Sequence, residues 1–155
     1  MGKIVVKFGG SSLADAAQFR KVRDIIRMDP RRCYVVPSAP GRRFPEDEKI
    51  TDLLYQTYRA QRNGENIEPI FRRVRERYLS IAEELGLSFP IARELDEVEQ
   101  LIREGASEDF CASRGEYLNG LLLADYLSFA FLDPKDLVFF NDDGTFDSER
   151  TNDVM

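Results

Sequence analysis

Apolar and polar positions along the chain fall into a few readable periods. Ile4 to Phe8 is a short β-branched and aromatic run closed by Gly9-Gly10, which predicts a buried strand followed by a sharp break. Ser12-x-x-Asp15 has the spacing of a capping box, with Asp in place of the usual Glu. Phe19, Val22, Ile25 and Ile26 then recur at helical intervals as far as Asp29-Pro30. Cys33 to Val36 predicts a second short strand, and Pro37-Ser38-Ala39-Pro40-Gly41 stops it, because proline brings no N–H to a ladder. A polar loop follows, to about Ile50.

Three helical patterns come next. The first carries Leu53, Leu54, Thr57 and Tyr58; the second Ile67, Ile70, Phe71, Val74, Tyr78, Ile81 and Leu85; the third Leu95, Val98, Leu101 and Ile102. Gly64, Gly86 and Gly105 sit where left-handed C-terminal caps belong. Ser107, followed by Glu108 and Asp109, opens a further helix whose acidic first turn suits the positive end of the helix dipole. Its buried stripe is Phe110, Leu118, Leu121 and Leu122, it runs to about Ser128, and Gly115 is an internal weak point. Phe129 to Leu132 predicts a brief strand, Leu137 to Phe140 a clearer one, and Asn141-Asp142-Asp143-Gly144 a turn. Asp147 to Met155 reads as the first turns of a further element. The order of strand, helix, strand, several helices and strands implies an α/β layered fold with a mostly parallel sheet.

Composition narrows what this fold can do. Of the 155 residues, 43% are hydrophobic and 32% charged, and the net charge is -6, so the chain can bury a real core but lacks the basic surface a duplex nucleic acid requires. The pairs Arg31-Arg32, Arg42-Arg43 and Arg72-Arg73 are small enough to be solvated faces. Neither an apolar leader nor a run of about 18 apolar residues is present, which predicts a soluble, cytoplasmic protein with no membrane partner. Cys33 and Cys111 share no metal or redox spacing and are expected to be buried free thiols. The absence of histidine excludes Ser-His-Asp and Cys-His chemistry together with histidine metal ligands.

Any reaction must therefore run on carboxylates, hydroxyls, lysine, arginine and backbone N–H groups. A glycine pair after a strand lets amide groups approach an anion, and Lys7 adds a point charge beside it. Neither the P-loop pattern nor the dinucleotide-binding glycine pattern occurs, and alone Gly9-Gly10 serves a tight turn as well as a phosphate cradle. Asp52, Asp142, Asp143 and Asp147 are read as a helix first turn and turn residues, and no metal-ligand set is predicted.

Read together, VVKFGGSSL (Val5 to Leu13), VVPSAPGRR (Val35 to Arg43), KITDLL (Lys49 to Leu54) and ASRGEYLNG (Ala112 to Gly120) resemble the aspartate kinases of the amino acid kinase family. In that family the opening strand carries Lys-Phe-Gly-Gly before Ser or Thr, the second strand runs into a Ser-Ala loop, a Thr with Asp or Asn opens the next helix, and Ser-x-Gly-Glu lies on a later helix.

The resemblance implies an amino acid kinase-like fold, with residues 1–155 as the N-terminal, acceptor-binding portion of the catalytic domain. It implies transfer of the γ-phosphoryl group of ATP, taken with Mg2+, to the side-chain carboxylate of L-aspartate. Lys7, Gly9 and Gly10 would be catalytic, with Phe8 joining them on the phosphates of ATP; Ser38, Thr51 and Glu116 would bind the acceptor. From the residues alone, Lys7 reaching into solvent, Thr51 as an ordinary N-cap and Glu116 as a surface carboxylate remain equally open. The family continues with a second glycine-rich segment, an Arg-Gly-Gly-Ser-Asp-like motif, a nucleotide lobe and ACT domains, none of which occurs in these residues. The expectation is a chain inactive by itself, prone to self-association or dependent on a complementing C-terminal part. Two alternatives stand beside it: a kinase of the same superfamily with another acceptor, and a non-catalytic amino-acid-binding or kinase-complementing module.

Overall fold

The computed structural model describes residues 2–154, so Met155 lies outside the described residues. Strand β1 (Ile4–Phe8) pairs in parallel with β2 (Arg32–Pro37), joined by helix α1 (Ala16–Arg27) as the crossover. Then come α2 (Ile50–Arg62), α3 (Glu68–Leu85), α4 (Ile91–Arg103), α5 (Glu108–Leu127) and the short α6 (Ser148–Val154). The α/β class and the parallel pairing are as the sequence implies. One strand face packs on the helices through Val6, Phe8 and Val35, while Val5, Tyr34 and Val36 on the other face are exposed.

Helices α1 to α5 enclose the core. Phe19, Phe71, Tyr78, Leu95 and Leu118 are fully enclosed, each at the helical spacing that put it on an inward stripe. Ile25, Leu101 and Leu121 fall off those stripes, and Leu123 is buried beside Leu122 in place of Leu121. Gly64, Gly86 and Gly105 take φ of 71°, 66° and 95°, the left-handed caps expected of them.

Several expectations are corrected. Ser12 does not cap α1: Gly10–Leu13 form a 3-10 turn, and Asp15 is the N-cap, its carboxylate accepting from the Gln18 amide over 2.9 Å. Thr51 does not cap α2; Lys49 holds that position, and Thr51 stands in the first turn. Phe129–Leu132 and Leu137–Phe140 are not strands. Among the described residues neither run has a strand to pair with, and Phe140 makes only a single antiparallel bridge to Phe146 across the turn ending at Gly144. Cys33 is exposed because it stands on a strand of this small sheet, whereas Cys111 is buried in α5 as expected.

Gly115 is a packing requirement of the fold. A Cβ there would lie 2.7 Å from the Ala39 Cβ, so its absence lets α5 press against the loop after β2. Helix α5 packs against β2, α2 and α4, with Leu118, Leu122 and Leu123 buried and Ser113, Glu116 and Asp125 exposed.

Candidate functional site

The loops that leave the two strands meet. The Ser38 amide donates to the Phe8 carbonyl at 3.0 Å, which continues the ladder by one bond, and the Gly41 amide donates to the Gly10 carbonyl at 2.8 Å. Both glycines are fixed by this approach: a Cβ on Gly10 would sit 2.9 Å from the Ala39 oxygen, and one on Gly41 would sit 2.6 Å from the Gly10 carbonyl carbon. Gly9 differs. Its backbone is ordinary extended chain (φ −74°, ψ 168°) and a Cβ would meet no atom within 4 Å, so nothing inside the protein demands glycine there.

Lys7 points to the solvent side of β1, opposite Val36 in the strand register, and makes no ion pair among the described residues. Phe8 turns its ring into the core, which leaves only its backbone to face a ligand. The β1 end therefore presents a lysine and an open glycine side by side, the residue types an anion needs.

On the other side of the loop, α5 supplies the contacts. Glu116 is exposed, and its Oε1 accepts from the Ala39 amide at 3.4 Å, a long bond that a better partner can displace. Asn119, one turn further along, is fully buried and donates from Nδ2 to the Ser38 carbonyl at 2.7 Å. The first turn of α2 closes the site: the Ile50 amide donates to the Pro40 carbonyl at 3.1 Å, and the site of the missing Gly115 Cβ lies 3.6 Å from Ile50. Ser38 is on this loop, Glu116 bonds to its Ala39 amide, and Thr51 follows Ile50, whose amide bonds to the loop at Pro40.

A buried ion pair fixes the remainder of that loop. Arg77 of α3 is 5% exposed; its Nη1 donates to the carbonyls of Gly41 (2.8 Å) and Ala14 (3.2 Å), and its Nη2 to Asp47 Oδ2 at 2.6 Å. Arg43 forks onto the same carboxylate at 2.7 and 2.9 Å. The Arg43 hydrogen bonds hold the Asp47 carboxyl well below the usual carboxylate range, while burial pulls the Arg77 guanidinium down from its ordinary value. Tyr78 beside it is fully buried, and its hydroxyl donates to the Gly115 carbonyl at 2.7 Å. Burial, reinforced by the Glu116 charge, pushes that phenol well above its usual pKa.

The acidic residues outside this region take structural parts. Asp52 lies in the α2 first turn, Asp143 accepts from the Thr145 amide and hydroxyl, and Asp147 accepts from the Arg150 amide at the start of α6. Among the described residues no three acidic or cysteine side chains gather as a metal site, and no helix is long and apolar enough to cross a membrane.

The fold as a whole has known counterparts. The sequence profile of the Amino acid kinase family matches residues 2–154. The chain belongs to the amino acid kinase family. It is 37% identical over 147 residues to Aspartokinase 3 of Bacillus subtilis (strain 168), an alignment spanning 88% of this chain and 32% of that protein. The structure of Clostridium acetobutylicum aspartate kinase superposes with a TM-score of 0.96 at 46% identity, over 99% of this chain and 35% of that one. Escherichia coli aspartokinase III, solved in complex with lysine and aspartate in a T-state, gives a TM-score of 0.79 at 25% identity, over 98% of this chain and 36% of that one. The chain thus spans about a third of the length of the relatives it matches.

The motifs of the chain single out Lys7, Gly9, Gly10, Ser38, Thr51 and Glu116 but not Arg77 or Asn119, and they place Tyr78 only on the apolar stripe of its helix. Arg77 sits on a helix whose other arginines are mostly solvated, so only the third dimension separates it. Asn119 carried a signal: an asparagine among Leu118, Leu122 and Leu123 is a polar residue on an apolar stripe.

Proposed function

We propose that these residues form the acceptor side, and the first-strand part of the phosphate side, of an aspartate kinase. In this reading Ser38, Thr51 and Glu116 hold L-aspartate, while Lys7, Gly9 and Gly10 face the γ-phosphate of MgATP. The observation that carries it is the convergence of the Ser38 loop, the first turn of α2 and Glu116, beside an exposed lysine and a glycine that no internal contact requires. The aspartokinase relatives support aspartate as the acceptor.

The chemistry suits a chain without histidine. An acceptor carboxylate has a pKa near 4 and is ionised at neutral pH, so attack on phosphorus needs no general base. One carboxylate oxygen forms the new bond to the γ-phosphorus as the bond to the β-γ bridging oxygen breaks, and ADP leaves. What this chain's residues contribute is charge and position. Lys7 offsets the repulsion between two anions, the backbone at Gly9 admits the phosphate closely, Glu116 pairs with the substrate ammonium, and the Ser38 and Thr51 hydroxyls orient its carboxylates. Mg2+ would come with the nucleotide and would offset the charge of its phosphates.

The exposed Val5, Tyr34 and Val36 face is a surface on which further polypeptide, or a second copy, would pack. Calorimetric titration of the chain with L-aspartate, L-glutamate and N-acetylglutamate tests the acceptor. Saturable binding of aspartate in preference to the others is expected, without ADP release from ATP by this chain alone. Preference for another acceptor would move the assignment within the superfamily. Steady aspartate-dependent ADP release would mean that the 155 residues already hold the whole catalytic apparatus.

A further inference from the structure

The Ser38 carbonyl and the Ala39 N–H are the two ends of one planar peptide, and they point in opposite directions. Helix α5 holds both. Asn119 donates to the carbonyl at 2.7 Å, and Glu116, three residues earlier on the same face, accepts from the N–H at 3.4 Å. The two holds are unequal. The asparagine bond is short and made by a fully buried side chain; the glutamate bond is long and made by an exposed one.

Asn119 is also an expensive choice. Its Oδ1 is buried with no hydrogen-bond partner, a cost that an apolar residue of similar size would avoid. Turning the amide over gives no relief, because two acceptor oxygens would then face each other across the Ser38 contact. The side chain is explained by what its NH2 group holds in place.

We propose that Asn119 is a positioning residue of the acceptor site. It fixes the Ser38–Ala39 peptide, so that Glu116 can turn from the Ala39 amide to the ammonium group of an amino-acid acceptor while the loop stays where it is. The Ala39 N–H released by Glu116 then becomes a donor available to a carboxylate of that acceptor. This rests on the acceptor-site reading above and adds to it the residue that makes the Ser38 loop independent of Glu116.

The test compares the wild-type chain with Asn119→Leu and with Ile102→Ala, a core truncation on α4. Isotope labelling reads the Ser38 carbonyl and Ala39 amide resonances and the Ala39 exchange rate, and calorimetry reads L-aspartate affinity. Asn119→Leu is expected to shift both resonances, to speed Ala39 exchange and to weaken aspartate binding, each of the latter two by about tenfold for one lost hydrogen bond. Ile102→Ala should lower the melting temperature but leave the Ala39 signals and the affinity at wild-type values. Wild-type resonances and affinity in Asn119→Leu would overturn the proposal, as would an equal loss of affinity in Ile102→Ala. If Asn119→Leu does not fold, the isosteric Asn119→Asp, which loses the donor, is judged by the same signals. A wild-type chain that takes up no aspartate sinks the acceptor-site reading instead, and the resonances and exchange rates still decide whether Asn119 sets the peptide.

Discussion

The Gly41 amide donates to the Gly10 carbonyl over 2.8 Å, so the loops leaving the two parallel strands touch backbone to backbone. The neighbouring Gly9 takes no part in this contact, and the two glycines of the pair should respond differently to the same substitution. Gly10→Ala or Gly41→Ala drives a methyl group into main chain at under 3 Å and should destabilise the chain by about 2 kcal/mol. Gly9→Ala should melt like the wild type, since its φ and its surroundings accept a side chain. Thermal denaturation of the three variants separates these cases, and equal losses at all three would show that Gly9 is also held for structural reasons.

Lys7 and Gly9 should therefore reveal themselves by ligand rather than by stability. Adding MgATP to labelled chain is expected to move the amide resonances of Phe8, Gly9 and Gly10, and Lys7→Ala should suppress the movement at an unchanged melting temperature. Resonances indifferent to MgATP in the wild type would place the phosphate side away from β1.

Asp47 and Arg77 form a buried pair, with side chains 7% and 4% exposed, and removing one partner leaves the other charge enclosed. Asp47→Asn should cost about 3 kcal/mol at neutral pH. The pH dependence follows from the direction of the shift. Folding lowers the Asp47 pKa below its unfolded value of about 4, so the pair's contribution is complete above about pH 4 and is lost as the pH falls through the lower, folded value. Denaturant titrations across the acid range should show the gap between wild type and Asp47→Asn narrowing below about pH 4. A gap constant with pH would mean that Asp47 is not the titrating group.

The close seat of α5 on the Ser38 loop gives another pair of variants. Gly115→Ala places a methyl 2.7 Å from the Ala39 Cβ, and the expected loss is about 1–3 kcal/mol. Tyr78→Phe removes the side-chain hydroxyl that donates to the buried Gly115 carbonyl, with an expected loss of about 1 kcal/mol. Equilibrium unfolding measures both, and a wild-type melting curve for Gly115→Ala would mean that α5 is free to withdraw from the loop.

These contacts also mark where sequence patterns stop informing. Phe19, Val22, Phe71, Val74 and Leu95 announce their helices because a stripe of apolar residues recurs with the helical period, and the left-handed caps at Gly64, Gly86 and Gly105 need glycine for reasons local to each residue. The Leu137–Phe140 run fails as a strand because a strand is stabilised by a neighbour, and a β-branched, aromatic composition cannot supply one. In the same way, Lys7, Ser38, Thr51 and Glu116 stood out by residue type and motif, whereas Arg77 and Asn119 matter through carbonyl groups 36 and 81 positions away in the chain. Gly115 was visible in the sequence, yet its meaning depended on Ala39 lying directly against it.

The Ser38 loop, Thr51 and Glu116 form the proposed binding site for L-aspartate. Isothermal titration of L-aspartate into the wild-type chain and into Glu116→Gln tests it most directly, because the substitution keeps the size of the side chain and removes only the charge that would pair with the ammonium. Saturable, one-to-one binding to the wild type is expected, and its loss in Glu116→Gln at an unchanged melting temperature. Equal heats and equal affinity for the two proteins, or no binding by the folded wild type, would contradict it.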